Sequence, residues 1–240
     1  MARPAFYALE RGGWRDYVTL LHPPYTAWHL AYVAIGAGLA PELDVSQLGL
    51  TLAAFFLAVG VGAHALDELN GRPLGTSIPR SVLAGAAAVS IAGAVAIGIA
   101  DALRFDAWLM AFVAAGVFLV LAYNLELFRG RFHTDAWFAL AWGAFPVLTG
   151  YFAVARSLAL PAVLAALFAF ALSLAQRSLS TRVRDVRRRT AAVSGTVTRH
   201  DGSVEPIRAH DLIAAEEAAL RALALAAVAL AVALVTMRLM

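Results

Sequence analysis

The sequence predicts an all-α, polytopic membrane helix bundle of about seven transmembrane helices. Three observations carry that prediction. Seven long apolar stretches run along the 240 residues. The composition is 61% hydrophobic and only 15% charged, with a mean hydropathy of +0.74, far from that of a water-soluble domain. The charges that remain gather in alternate loops, and so on one side of the implied membrane.

Residues 1–23 precede the first stretch. They mix Phe6, Tyr7, Leu9, Trp14 and Tyr17 with charges, a pattern expected to lie in the membrane interface. The first 20 residues hold three Arg and two acids and lack an apolar h-region, so no cleavable signal peptide is expected and the first span serves as the insertion signal. His22-Pro23-Pro24 marks the break before it. The spans then fall at about 24–40, 47–69, 81–100, 106–127, 136–155, 158–176 and 214–237. Most approach the ~20 residues a helix needs to cross the hydrocarbon core; the first and sixth are shortest. Helices are the expected form, because an open sheet leaves backbone groups unpaired in lipid. The 177–213 stretch is the one long hydrophilic loop. Its Arg-rich start is expected to prolong the sixth helix. Val193 to Ile207, with Val and Thr flanking His200-Asp201-Gly202-Ser203, reads as a β-hairpin with Asp-Gly turn chemistry. No repeat or second domain is visible, so residues 1–240 read as one transmembrane domain.

Arginine sets the orientation. The chain has no lysine, and its 19 basic residues are all Arg. With seven spans, one side receives Arg3, Arg11, Arg15, Arg72, Arg80, Arg129, Arg131 and the eight from Arg177 to Arg208, fifteen in all. The other side receives Arg104, Arg156 and Arg238, while Arg221 lies near the start of the last helix. This excess places the N-terminus in the cytoplasm and the C-terminus outside a cell inner membrane. The pI of about 9.7 is then a basic rim beside anionic headgroups and implies no nucleic-acid partner. Lack of lysine excludes a retinal Schiff base. Lack of cysteine excludes disulfides, a thiolate nucleophile and Cys-based metal sites. Oligomeric state is not legible.

Ionisable groups cluster at the cytoplasmic ends of spans. His64, Asp67 and Glu68 stand at i, i+3 and i+4, on one helix face, followed by Asn70 and Arg72. Tyr123-Asn124 ends the fourth span, with Glu126, Arg129, Arg131, His133 and Asp135 beyond it. The sixth runs into Gln176-Arg177 and then Arg182, Arg184, Asp185 and Arg187. Membrane-embedded ionisable groups are costly and tend to mark function. Carboxylates beside arginines suit a phosphate held through Mg²⁺, with hard oxygen ligands on the metal and planar guanidinium donors on the anion. Plainer readings stand beside this one. Asp67 and Glu68 pair with Arg72 or Arg80; His64 makes a helix–helix hydrogen bond; Thr134 and Asp135 cap the fifth helix; Gly36, Gly38, Gly60 and Gly62 serve close helix packing.

Four local patterns resemble the UbiA-type intramembrane prenyltransferase superfamily. They are the acidic end of the second span followed by Arg72-Pro73-Leu74 and Ile78, Tyr123-Asn124, Trp142-Gly143-Ala144-Phe145-Pro146 with Gly150-Tyr151, and Arg184-Asp185-Val186. The resemblance implies a short, divergent member. In it Asp67, Glu68 and Asp185 hold Mg²⁺ and carry the catalysis. His64, Asn70, Arg72, Tyr123, Asn124, Arg129, Arg131, Trp142, Tyr151 and Arg182 bind an isoprenoid diphosphate or related lipid, and the chemistry is prenyl transfer or cyclisation. The chain departs from the family pattern of two Asp-rich motifs and nine spans. Its first motif reduces to His64, Asp67, Glu68 and Asn70, and Arg189 stands where the second has its later Asp. Two alternatives therefore stay open. One is a metal enzyme built on His64, Asp67, Glu68, Glu126, His133 and Asp135. The other is a non-catalytic lipid-binding or scaffold protein on the same fold. Glu216-Glu217 with Arg221 matches a membrane-protease signature, but no later helix brings histidines; an acidic first turn that complements the helix dipole is the reading kept.

Overall fold

The computed structural model describes residues 3–240. Its regular elements are eight helices and one hairpin. Helix α1 is Trp14–Leu20, α2 is Pro23–Gly38, α3 is Val45–Leu69 and α4 is Arg80–Arg104. Then come α5 (Leu109–Asn124), α6 (Asp135–Ala155), α7 (Leu160–Arg189) and α8 (Ala214–Leu239). Five of these, α3, α4, α6, α7 and α8, are long and apolar enough to cross a bilayer, and they mark a multi-pass membrane protein. Helices α2 and α5, with 16 residues each, are shorter than the spans expected around them.

Local chemistry sets the helix ends. Pro23 and Pro24 open α2, where a missing N–H costs nothing. Asp44 caps α3 by accepting from the amides of Ser46 (2.9 Å) and Gln47 (3.0 Å). Thr134 caps α6 through the Trp137 amide. The sixth predicted span is the one most extended: α7 continues past Gln176 to Arg189, carrying the arginines with it. The hairpin forms between β1 (Thr196–Thr198) and β2 (Val204–Pro206), with Thr196 opposite Pro206 and Asp201-Gly202 in the turn. It is exposed along both strands.

Helix α2 sits at the centre. Trp28, Tyr32 and Ile35 are buried against α6 and α8. Its crossing with α6 is a backbone contact: a Cβ on Gly36 would meet the Val147 carbonyl oxygen, and one on Gly150 the Val33 carbonyl oxygen. The glycines there are packing devices, as expected, because only Gly lets two backbones approach so closely. At the Arg-rich end α7 is clamped to α8. The Arg187 guanidinium donates through both Nε and Nη2 to the buried Glu217 carboxylate, and Arg182 pairs with Glu216.

Three helices contain wide, π-type turns: Phe56–Ala63 in α3, Leu140–Ala144 in α6 and Asp185–Arg189 in α7. Such turns interrupt the i→i−4 ladder and recur at functional sites. All three supply residues to the cavity described below.

The N-terminal segment folds as a strap over the end of the bundle. Ala5, Ala8 and Leu20 are buried, while Trp14 and Tyr17 stay exposed. Arg187 and Arg188 hold it by donating to the carbonyls of Arg3 and Pro4. Asp16 ties it to the loop before α4, accepting from the amides of Gly12 (3.0 Å) and Ser77 (2.8 Å). Burial works against this carboxylate, but the two amides and the Arg11 charge outweigh it and hold the pKa below its ordinary 3.8. A depressed carboxyl pKa contributes stability that is present above the unfolded value and lost as pH falls through the folded one. The strap is therefore expected to loosen only below about pH 4. Hydrogen exchange at residues 3–20, corrected for the intrinsic rate at each pH, reads this, and Asp16→Asn should remove the pH dependence of protection there.

Candidate functional site

At the Arg-rich end the helices part around a cavity of about 700 Å³. Its lining comes from every element that reaches that end except α1, α4 and α8. The strap gives Phe6 and Tyr7; the start of α2 gives His22, Tyr25 and His29; α3 gives His64 and Asp67. Helix α5 gives Tyr123 and Asn124, the following loop His133, α6 Asp135, Phe138 and Trp142, and α7 Gln176, Arg177, Arg182, Arg184, Asp185, Arg188 and Arg189.

The arginines divide by partner. Arg177 pairs with Asp135 at 2.9 Å and Arg182 with Glu216 at 3.1 Å. Arg184 donates to the hydroxyls of Ser180 and Thr181, and Arg188 to the Pro4 carbonyl. Among the described residues Arg184, Arg188 and Arg189 have no carboxylate partner, which leaves the cavity with surplus positive charge.

The histidines are ordered by the backbone. His29 directs Nδ1 to the Trp142 carbonyl at 2.8 Å, His64 to Gly60 at 3.1 Å and His133 to Tyr123 at 3.0 Å. Trp142 and Gly60 lie in the wide turns and Tyr123 in the last turn of α5, where the helical ladder is interrupted. His22 stacks on His64 with centroids 4.1 Å apart and shares a 2.7 Å hydrogen bond with the Tyr7 hydroxyl. Burial, then the neighbouring His64 and Arg188, push the His22 pKa well down, so this ring is neutral at pH 7. Burial likewise raises the Tyr7 hydroxyl. Three buried polar atoms on the lining have no partner among the described residues: His22 Nε2, Tyr123 Oη and Gln176 Oε1.

Of the residues expected to form the site, His64, Asp67, Tyr123, Asn124, Trp142, Arg182 and Asp185 line this cavity. The others do not. Glu68 is fully buried behind it and spends both carboxylate oxygens on the next loop, accepting from Leu74 N (2.9 Å), Thr76 N (2.7 Å) and Thr76 Oγ1 (2.9 Å). It shares a helix face with Asp67 only at the level of the helical wheel; the loop claims it first. Arg72 braces that same loop through the carbonyls of Thr76 and Ile78. It pairs with neither Asp67 nor Glu68. Asn70 is at the rim, its amide 3.5 Å from the Asn124 carbonyl. Arg129 and Arg131 are exposed on the α5–α6 loop, and Tyr151 is buried beside Ala40 and Ala162 in another cluster. Glu126 is exposed and outside the lining as well.

These placements bear on a cation. Among the described residues no three His, Asp or Glu side chains are grouped to hold a metal ion. With Glu68 committed elsewhere, Asp67 and Asp185 remain. Two carboxylates are too few for a cage, but they fit the way Mg²⁺ binds beside substrate phosphates, through one or two carboxylates and water.

A second, apolar volume of about 110 Å³ lies among α3, α4, α5 and α6, walled by Phe55, Phe112 and Phe145. Val59 and Trp142 line both spaces, so the apolar one adjoins the charged one.

His22 and His29 are not among the site residues that the sequence points to, and His22, in a left-handed conformation just before α2, reaches the cavity from outside the helix. Nothing in the sequence signals that Arg188 and Arg189 line the cavity while Arg129 and Arg131 do not. The chain matches no protein-family model, no curated protein and no solved structure, so the geometry of this cavity carries the functional reading.

Proposed function

We propose that the protein binds, and acts on, a lipid with a phosphate or diphosphate head, an isoprenoid diphosphate being the substrate class. The observation that carries this is the set Arg184, Arg188 and Arg189, without carboxylate partners, in a cavity that adjoins an apolar pocket. A charged head fits the first space and a hydrocarbon chain the second. The UbiA-type resemblance of the sequence supports the same reading, as does the gathering of the Arg-rich loops at one end. On this reading seven helices, α2 to α8, span an inner membrane, with the cavity facing the cytoplasm and the C-terminus outside.

The arginines hold the diphosphate and stabilise the negative charge that builds as it leaves. Asp67 and Asp185 would hold Mg²⁺, which supplies Lewis-acid neutralisation of the leaving group. Trp142, at the junction of the two spaces, faces the carbon that loses the diphosphate, and the phenylalanine-lined pocket keeps water from it.

The test is turnover of radiolabelled geranylgeranyl diphosphate by the purified full-length protein with and without Mg²⁺. Asp67→Asn is expected to lower diphosphate release by about 10²-fold or more, the scale on which lost transition-state charge stabilisation is felt, while melting temperature stays near wild type. Tight binding without release would leave a lipid-binding protein on this fold. Absence of binding ends the reading.

A further inference from the structure

The same cavity that offers guanidinium donors also offers a group of bare acceptors. A backbone carbonyl only accepts, so the Nδ1 atoms of His29, His64 and His133, each on a carbonyl, carry the ring proton. In a neutral ring Nε2 is then a lone pair. None of these three Nε2 atoms has a hydrogen-bond partner among the described residues, and all three rings line the cavity. Gln176 Oε1, on a side chain 3% exposed, is a fourth unpartnered acceptor; the Tyr123 hydroxyl, on one 7% exposed, is unpartnered too. These come from α2, α3, the end of α5, the α5–α6 loop and α7, so they are spread around the space and not stacked on one helix.

Such acceptors require donors. Phosphate at neutral pH has few or none, and an isoprenoid chain has none. The rings are not grouped for a metal ion, and the nearby arginines disfavour an ammonium group. Hydroxyl groups satisfy them without charge. We infer that His29, His64 and His133, with Gln176, bind the hydroxyls of a polyol phosphate, which makes a polyhydroxylated phosphate ester the second molecule of this site, beside the isoprenoid diphosphate. The inference rests on the phosphate reading above and names what meets the diphosphate in the cavity.

Two matched pairs of probes test it on the full-length protein in detergent. Inositol 1-phosphate and cyclohexyl phosphate share a ring and a charge and differ in hydroxyls. Phosphatidylinositol and phosphatidylethanol, both singly charged phosphodiesters, repeat the contrast on a lipid. The polyol member of each pair should bind about tenfold or more tightly, since several neutral hydrogen bonds at roughly three- to tenfold each are at stake. Binding of inositol 1-phosphate marks a soluble source; preference confined to the lipid pair marks a membrane lipid; either supports the inference. His29→Leu and His133→Leu should each erase roughly three- to tenfold of that preference and leave cyclohexyl phosphate and geranylgeranyl diphosphate binding unchanged, which also shows that the variants are folded. His200→Leu, on the exposed hairpin, should change nothing. Equal binding within both pairs, or a preference untouched by the His variants, overturns the inference while geranylgeranyl diphosphate binding keeps the phosphate reading alive. Loss of every ligand, the diphosphate included, removes both.

Discussion

Replacing Arg184 and Arg188 together with Gln is expected to weaken binding of geranylgeranyl diphosphate by on the order of 10²-fold or more. Hydrogen bonds from charged donors to phosphate contribute about 1.5–3 kcal/mol each, and two are removed. The effect should exceed that of Arg182→Gln, because Arg182 is already neutralised by Glu216 at 3.1 Å. It should dwarf that of Arg129→Gln, whose side chain is exposed outside the cavity. Isothermal titration in detergent separates the three. The comparison is sharpened by salt: exposed charges lose most of their influence within a Debye length of about 8 Å at physiological ionic strength, and partly buried ones lose less. Equal, small effects from all three variants would mean that the cavity arginines are headgroup contacts like the rest of the basic rim. Arg188 also donates to the Pro4 carbonyl of the strap, so the double variant should show faster exchange at residues 3–8 as well.

Glu68→Ala is expected to be the most destabilising single change in the molecule, by about 3–5 kcal/mol. Its side chain is completely buried and accepts three hydrogen bonds from the loop between α3 and α4. Removing it strands the amides of Leu74 and Thr76 in a place water does not reach, and each orphaned donor costs about 1–3 kcal/mol. The loop then releases Leu74 and Ile78, now 2% and 3% exposed. Glu68→Gln keeps the shape but turns an amide N–H₂ toward a donor, so it should fall between wild type and Ala. Asp67→Ala, one residue away and facing the cavity, should cost little. Thermal denaturation of the three variants decides the matter. If Asp67→Ala is as damaging as Glu68→Ala, the division of this acidic pair into one cavity residue and one loop anchor is wrong.

That pair shows where sequence reasoning reached its limit. The spacing of His64, Asp67 and Glu68 places all three on one side of a helix, which is correct to within about a quarter turn. The wide turn just before them, Phe56–Ala63, shifts the face, and the ten residues that follow fold back to claim Glu68. Neither event has a local signature, because both depend on what packs against the helix. The same holds for the arginines. Arg131 and Arg188 are indistinguishable as residues in basic stretches, yet one lies on an exposed turn and the other on the cavity wall. The strap was legible as amphipathic, but its seat on the bundle was not, since that is fixed by Asp16 reaching the Ser77 amide 61 positions away.

The sequence by itself determined the solvent and the polarity of the molecule. Apolar runs of bilayer length demand helices, since lipid offers no partner for a free backbone group, and the Arg-rich loops mark one end as chemically distinct. It also set the small punctuation: Thr134 as a cap, Pro23 and Pro24 as a helix start, Asp201-Gly202 as a hairpin turn. Only the tertiary structure decided which charges are spent on each other and which are left without a carboxylate on the cavity wall. Pairing depends on distances between helices far apart in the chain, as when Glu217 takes Arg187 and leaves Arg188 and Arg189 without a carboxylate. Such distances are set by how the helices pack, which no local pattern encodes.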